Sequence, residues 1–499
     1  MAADSTLVIA TGAGIATLST GATLLVSVIE ESLKFYHRSE LFELLPPARH
    51  EAFERYLKQA GRPRRTCLQY NSWYDLRQRE LTVTNLQRIF DGFQSGLLRP
   101  YHLRFDAFVP DDGWQNKQSI WEVDRAILPD EFAPLARYLE ARGSRLGLWM
   151  PLNGTNLDIA WGQAQGYLVS ELGGRHYQLT DPSYQAAIRA ALRHRVADGN
   201  LGYFKHDFNN FRTRRHPLGP EVDFEENLDV QLALHRFERE LQPDIFLNVT
   251  SGMWLSPWWL LEADTIWMGS GDFGYERTWP QVSRRDWELT YRDQHFYRQY
   301  AVEQAQYPLS RLMTHGIIHG RLNRLGGLDE TTREWSDSVV FYFARGVQLQ
   351  ELYITPDLMS PEWWRILGRA IQWAGAHAAT LDQTRYLGGE PRRGEVYGYV
   401  HWGADEGLVA VRNPDSRPAT LALTTAERPA SLGAPGAWRA TRIYPDHGLL
   451  PATLLWWVKI DWRSPLRELW SRLKLAALAF ALLGIAAAGF GKDVASLLR

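Results

Sequence analysis

Between Cys67 and about Thr380, short apolar runs alternate with stretches whose apolar residues recur at helical spacing. The runs "CLQYNSWY" (67–74), "FDAFVPDD" (105–112), "RLGLWM" (145–150), "LGYFKHDF" (201–208), "DIFLNVTS" (244–251), "DTIWMG" (264–269), "SRLMTHGI" (310–317) and "LQELYIT" (349–355) read as strands. Amphipathic segments such as "EFAPLARYLEARG" (131–143), "PSYQAAIRAALRHRVA" (182–197) and "PEWWRILGRAIQWAGAHA" (361–378) lie between them. Strands alternating with helices imply parallel pairing through right-handed crossovers. Eight such strands predict an α/β fold, a (β/α)8 TIM barrel over 67–380 with its site at the strand C-terminal ends. A doubly wound sheet is the alternative, but no glycine-rich phosphate loop follows the first strand.

The flanks read differently. Residues 1–66 predict an N-terminal β-rich segment, with "STLVIATGAGIATLSTGATLLVSVI" (5–29) broken into strands at its glycines, followed by a linker. Residues 381–450 carry the short strands and turn signals of an antiparallel β segment. Residues 451–499 form a basic, Trp-rich tail containing the uncharged run 475–491. Seventeen residues are at the lower limit for crossing a bilayer, so membrane association through this run and an Ala-rich helix packed on the body are both open. The first apolar run begins after Asp4, has no basic residue before it and makes a poor signal peptide. Localisation, cytoplasmic or membrane-associated, therefore turns on the tail.

Composition changes this picture in one respect only. A net charge of −2 and 22% charged residues point to no nucleic-acid partner, and a single cysteine, Cys67, excludes an internal disulfide framework. The 21 Trp and 21 Tyr residues supply aromatic faces of the kind on which sugars stack, although a Trp-rich core has the same composition.

The fourth predicted strand poses the chemical question. In "GYFKHDFNNF" (202–211), Lys205 and Asp207 share one strand face while His206 takes the other. Burying charge is costly unless it is paired or used. Other carboxylates fall at strand ends too: Asp111 and Asp112, beside Trp114, after the second strand, and Asp272 beyond the sixth. Two carboxylates flanking a sugar can run glycoside hydrolysis, and a cation beside Asp207 would keep it ionised as a nucleophile requires.

"FVPDDGWQN…WEVD", "SRLGLWM", "LTDPSYQAAIRAAL", "YFKHDFNN" and "IWMGSGD" resemble, in order, the landmarks of melibiase-type α-galactosidases. That clan of retaining glycosidases also holds α-N-acetylgalactosaminidases and raffinose-synthase-like transglycosylases. The resemblance covers about residues 65–380 and implies Asp207 as nucleophile and Asp272 as acid/base. It also implies Asp111, Asp112, Trp114, Trp149, Lys205, Asn209, Ser251, Gly252 and Trp254 as substrate contacts. The expected partner is an α-linked oligosaccharide or glycoconjugate, with no cofactor.

Two departures stand out. The family's glycine-rich stretch after strand five is here "NVTSGMWLSPWWLLEAD" (248–264), which keeps only Ser251-Gly252 and lacks its arginine. The acid/base loop lacks its usual wording, which makes Asp264 and Asp286 fallbacks for Asp272. No histidine pair has zinc spacing with a carboxylate, and His315 and His319 fall on a predicted strand and loop, so no metal is expected. A transglycosylase of the same clan and a membrane-tethered, non-catalytic carbohydrate binder are the competing functions.

Overall fold

The computed structural model describes residues 7–11, 14–18, 59–197, 199–277, 283–403, 406–415, 417–421, 439–444 and 454–461. Strands β1 (Leu7–Thr11) and β2 (Gly14–Leu18) pair antiparallel near the N-terminus. The barrel strands follow: β3 (Cys67–Asn71), β4 (Ala107–Val109), β5 (Leu146–Trp149), β6 (Leu201–His206), β7 (Phe246–Val249), β8 (Thr265–Trp267), β9 (Leu312–Met313), β10 (Ile317–His319) and β11 (Leu349–Ile354). They pair in parallel in the order β10-β11-β3-β4-β5-β6-β7-β8-β9. Each of the eight apolar runs contains a strand.

The ends of this sheet are two pieces of one stave. β9 pairs with β8 and β10 with β11, while only Thr314, His315 and Gly316 separate them. The chain itself thus closes an eight-stave barrel. His315 (φ 58°) and Gly316 (φ 48°) both adopt left-handed backbone there. A Cβ at Gly316 would lie 2.1 Å from the Glu351 carbonyl oxygen, so the break requires glycine.

Helices cover the outside. In Val83–Phe93, Leu86, Ile89, Phe90 and Phe93 form the buried stripe, and Thr82 caps the first turn by accepting from Asn85 N. Pro361–Ala376 begins with Pro at its first position behind the Ser360 cap and buries Trp364, Leu367 and Ile371. The interior is polar in its middle layer: Gln69 donates to Glu351 Oε1 (2.9 Å), Asn248 to the Tyr203 hydroxyl (2.9 Å) and Thr265 to Asn248 Oδ1 (2.9 Å). These inward positions continue upward in register to Asn71, Lys205 and Thr250, so the same alternation that fills the core aims side chains at the barrel mouth.

A second sheet is antiparallel, in the order β12 (Thr384–Gly388), β13 (Tyr397–Trp402), β14 (Glu406–Asn413), β16 (Leu454–Asp461), β15 (Arg439–Tyr444). Its fourth strand in that order, β16, comes from the start of the segment read from sequence as the tail. Buried polar contacts join this sheet to helix Arg284–Phe296. Asp293 accepts from Arg345 Nε (2.8 Å), Tyr397 (2.6 Å) and Tyr399 (2.6 Å), and Arg412 pairs with Asp286 at 2.5 Å. Among the described residues no helix is long and apolar enough to cross a membrane, and the run 475–491 lies outside them.

Asp293→Ala would leave the Arg345 guanidinium buried without its partner. Urea unfolding should show a loss of about 3–5 kcal/mol, against about 1 kcal/mol for Tyr399→Phe, which removes the single hydrogen bond to Asp293. Equal losses would show that Asp293 does not hold the two parts together.

Candidate active site

At the C-terminal end of the barrel lies a cavity of about 240 Å3. It collects residues from successive strand ends: Trp73 after β3, Asp111 and Asp112 after β4, Trp149 of β5, Lys205 and Asp207 at the end of β6, Thr250 and Ser251 after β7, Asp272 beyond β8, and His315 in the split stave. A larger cleft of about 830 Å3 around Arg62, Tyr300 and Arg311 offers a single carboxylate, Asp382, already bound to Arg64 and Gln348. The smaller cavity alone combines several carboxylates with a buried ammonium.

Asp207 leaves the strand just after the last ladder bond, and Phe208 behind it is kinked into left-handed backbone (φ 52°). That kink turns Phe208 N onto Asp207 Oδ1 (2.9 Å). The same oxygen accepts from Thr250 Oγ1, Ser251 Oγ (2.6 Å) and Ser251 N (3.3 Å). Oδ2 receives only Trp149 Nε1, at 3.2 Å. One oxygen is therefore saturated and the other is nearly free in the cavity. Burial on its own would raise this carboxyl, but Lys205 and the hydroxyls of Ser251 and Thr250 outweigh it and hold it below the ordinary value.

Lys205 Nζ donates to Asp111 Oδ2 at 2.9 Å, and both side chains are nearly sealed from solvent. Burial favours the neutral amine, yet Asp111 and Asp207 reverse this and raise the Lys205 pKa. Asp111 also accepts from Asn71 Nδ2 (2.7 Å) and from the Asp112 amide (2.9 Å). Asp112 is raised above the ordinary range by burial, against the hydrogen bond from Gln115.

Asp272 stands at the mouth with its side chain 57% exposed. Tyr74 donates to its Oδ2 (3.3 Å), His315 Nδ1 lies 3.6 Å from its Oδ1, and Arg292 fixes its loop by donating to Asp272 O (3.0 Å). Burial, then Lys205 and Arg292, push the His315 imidazole well below its ordinary pKa, so it is neutral. The fallback carboxylates do other work: Asp264 pairs with Arg239 (2.9 Å) and accepts from Leu247 N, and Asp286 pairs with Arg412.

The remaining expected contacts divide. Ser251 lines this cavity and, with Gly252, Asn209, Asn156 and Phe208, an adjoining one of about 740 Å3. The Asn209 amide is fully engaged, donating to His206 O and Ser251 O (both 3.1 Å) and accepting from Gln231 (2.8 Å). Trp114 is fully buried behind the wall and donates to Trp149 O (3.1 Å). Trp254 packs with Phe211, Phe224 and Trp259, outside the lining of either cavity. Sequence reasoning missed Thr250, Trp267 and His315 as cavity residues, and Glu351 beneath them. Thr250 was legible as the first polar residue after an inward Asn248; His315 was hidden in a run read as one unbroken strand.

Solved structures similar to this chain include α-galactosidases. The galactosidase domain of an α-galactosidase–sucrose kinase, AgaSK, superposes with TM-score 0.58 at 15% identity, covering 80% of this chain and 54% of that one. GH36 α-galactosidase AgaA from Geobacillus stearothermophilus, solved with 1-deoxygalactonojirimycin, gives TM-score 0.59 at 13% identity over 82% and 58%. AgaB from the same organism gives 0.59 at 14% over 82% and 57%. The likeness establishes a glycoside-hydrolase-like fold of the GH36 α-galactosidase type, and this chain spans a little over half of each of these structures. The family model of phosphoethanolamine transferase EptA/EptB matches residues 446–499, a short stretch outside the barrel. No curated protein matches the chain.

Glu351 is fully buried below the cavity, and burial raises its pKa from 4.5 to about 7. The folded state therefore holds a proton that the unfolded state has lost between these values, so this group's stabilising contribution is complete below pH 4.5 and fades as the pH rises through 7. Glu351→Gln should lose less stability than wild type across that window, by about 1–3 kcal/mol. Parallel stability profiles for the two proteins would refute the assignment.

Proposed function

We propose that this chain is a retaining α-glycosidase of the α-galactosidase type. The observation that carries the reading is the asymmetry of Asp207, whose Oδ1 is held by four donors while Oδ2 has one. A nucleophilic carboxylate needs one oxygen fixed and the other free, ionised and facing the anomeric carbon. Asp272 lines another wall of the same cavity and is the acid in this reading, protonating the leaving oxygen. In the first step Asp207 Oδ2 bonds to the anomeric carbon as the glycosidic bond breaks, with the Asp272 proton passing to the departing oxygen. In the second, Asp272 takes a proton from water, whose oxygen displaces Asp207 and restores the original anomeric configuration.

The Asp111–Lys205 pair and Asp112 supply acceptors and a donor for ring hydroxyls. Neutral His315 adds one donor and one acceptor. The adjoining cavity gives the leaving group room, and transfer to a second sugar instead of water would use the same space. The neighbours' own substrates make α-galactosides the first to test.

The test is a panel of aryl α-galactoside, α-N-acetylgalactosaminide, α-glucoside and β-anomers, with the product anomer followed by NMR. Wild type should cleave an α-glycoside and release the α-anomer first. Asp207→Ala should abolish the activity and regain a fraction with added azide, while Asp272→Ala should lose roughly 10²–10⁴-fold on a substrate that needs acid assistance. Inversion of the anomer, or activity surviving Asp207→Ala, would sink the assignment.

A further inference from the structure

The back of the strand that carries Asp207 holds a cluster outside the proposed chemistry. His206 points outward from β6 onto helix Pro220–Leu241, where it meets His235 and Glu238, and all three are wholly buried. His206 Nδ1 lies 2.7 Å from Met150 O. A carbonyl only accepts, so Nδ1 carries the proton of that bond. Nε2 then faces the Glu238 carboxylate at 3.0 Å. A ring lone pair and a carboxylate at this distance repel unless a positive species lies between them, and a proton would suffice for that pair alone. It would leave both nitrogens of His235 without a partner in the core. One donor atom from each residue lies within 4.8 Å of the others.

We infer that His206, His235 and Glu238 form a site for a divalent transition metal, with zinc the best fit. Two imidazoles and a carboxylate suit zinc, whose bonds of about 2.0–2.2 Å set ligand atoms roughly 3.3–3.5 Å apart in a tetrahedron. The His206–Glu238 separation is already close to this, and a shift of the His235 ring completes the set, leaving one position for a water. The bond from His206 Nδ1 to Met150 O is the outer contact that fixes a ligating histidine's tautomer. The nearby cations are committed elsewhere: Arg236 to Glu262 (2.6 Å) and Arg239 to Asp264 (2.9 Å). His235 and Glu238 are three apart on one helix face, and His206 joins them only through the fold. Such a metal would clamp helix Pro220–Leu241 to the strand bearing Lys205 and Asp207.

This inference stands apart from the proposed glycosidase activity and has its own readout. The full chain is stripped with EDTA, equilibrated with zinc sulfate, gel-filtered and analysed by ICP-MS, with thermal unfolding recorded with and without zinc. Wild type should retain about one zinc per chain and unfold at a higher temperature with it. His235→Gln and Glu238→Gln, checked for folding by circular dichroism, should lose affinity by more than the roughly 10–100-fold of a missing outer contact. No retained zinc in wild type, or retention unaffected by both substitutions, would overturn the site. Cobalt substitution of wild type needs no variant: intense tetrahedral d–d bands support the site, and their absence at full cobalt loading refutes it.

Discussion

The mouth of the barrel depends on one charge pair. Lys205 and Asp111 meet at 2.9 Å where water hardly reaches, and neither could stay charged alone. Their pairing links the ends of β6 and β4, and Asn71 and the Asp112 amide satisfy the remaining capacity of the carboxylate. The resulting fixed positive charge lies beside Asp207, which therefore remains an anion despite its burial. Removing either partner would alter the protonation of the rest as well as a local contact.

The strand period then separates two jobs on one segment. Tyr203, Lys205 and Asp207 look into the barrel, from its polar middle layer to its mouth, while Phe204 and His206 look out onto a helix. Because the period is two, a one-residue slip of β6 would exchange the faces entirely. The parallel neighbours β5 and β7 set the register, with Trp149 opposite Lys205 and Lys205 opposite Asn248. Precision at the cavity is thus a property of the whole sheet.

The barrel was legible because its strands are short apolar runs with turn residues after them, and the carboxylates at 111, 207 and 272 could be placed by their position at strand ends. Less visible was whatever depends on contacts distant in sequence. The resemblance made Trp114 and Trp254 expected substrate contacts, but Trp114 is fully buried behind the cavity wall and Trp254 packs against Phe211, Phe224 and Trp259. Asn209 has the right chemistry for a hydroxyl, yet its amide is used up inside the loop. Glu351 sits in "LQELYIT", where one polar letter does not disturb a β pattern, and only barrel closure brings it beneath Lys205. The split at Thr314–Gly316 was hidden by the apolar residues on both sides of it.

The close approach of two loops has a consequence for how this cavity can change over evolutionary time. At Gly252 (φ 92°) an added Cβ would lie 1.9 Å from Asn209 O, so the loops after β6 and β7 touch backbone to backbone. Any side chain there must push apart the segment that anchors Asp207, and point substitution at this wall is closed to selection.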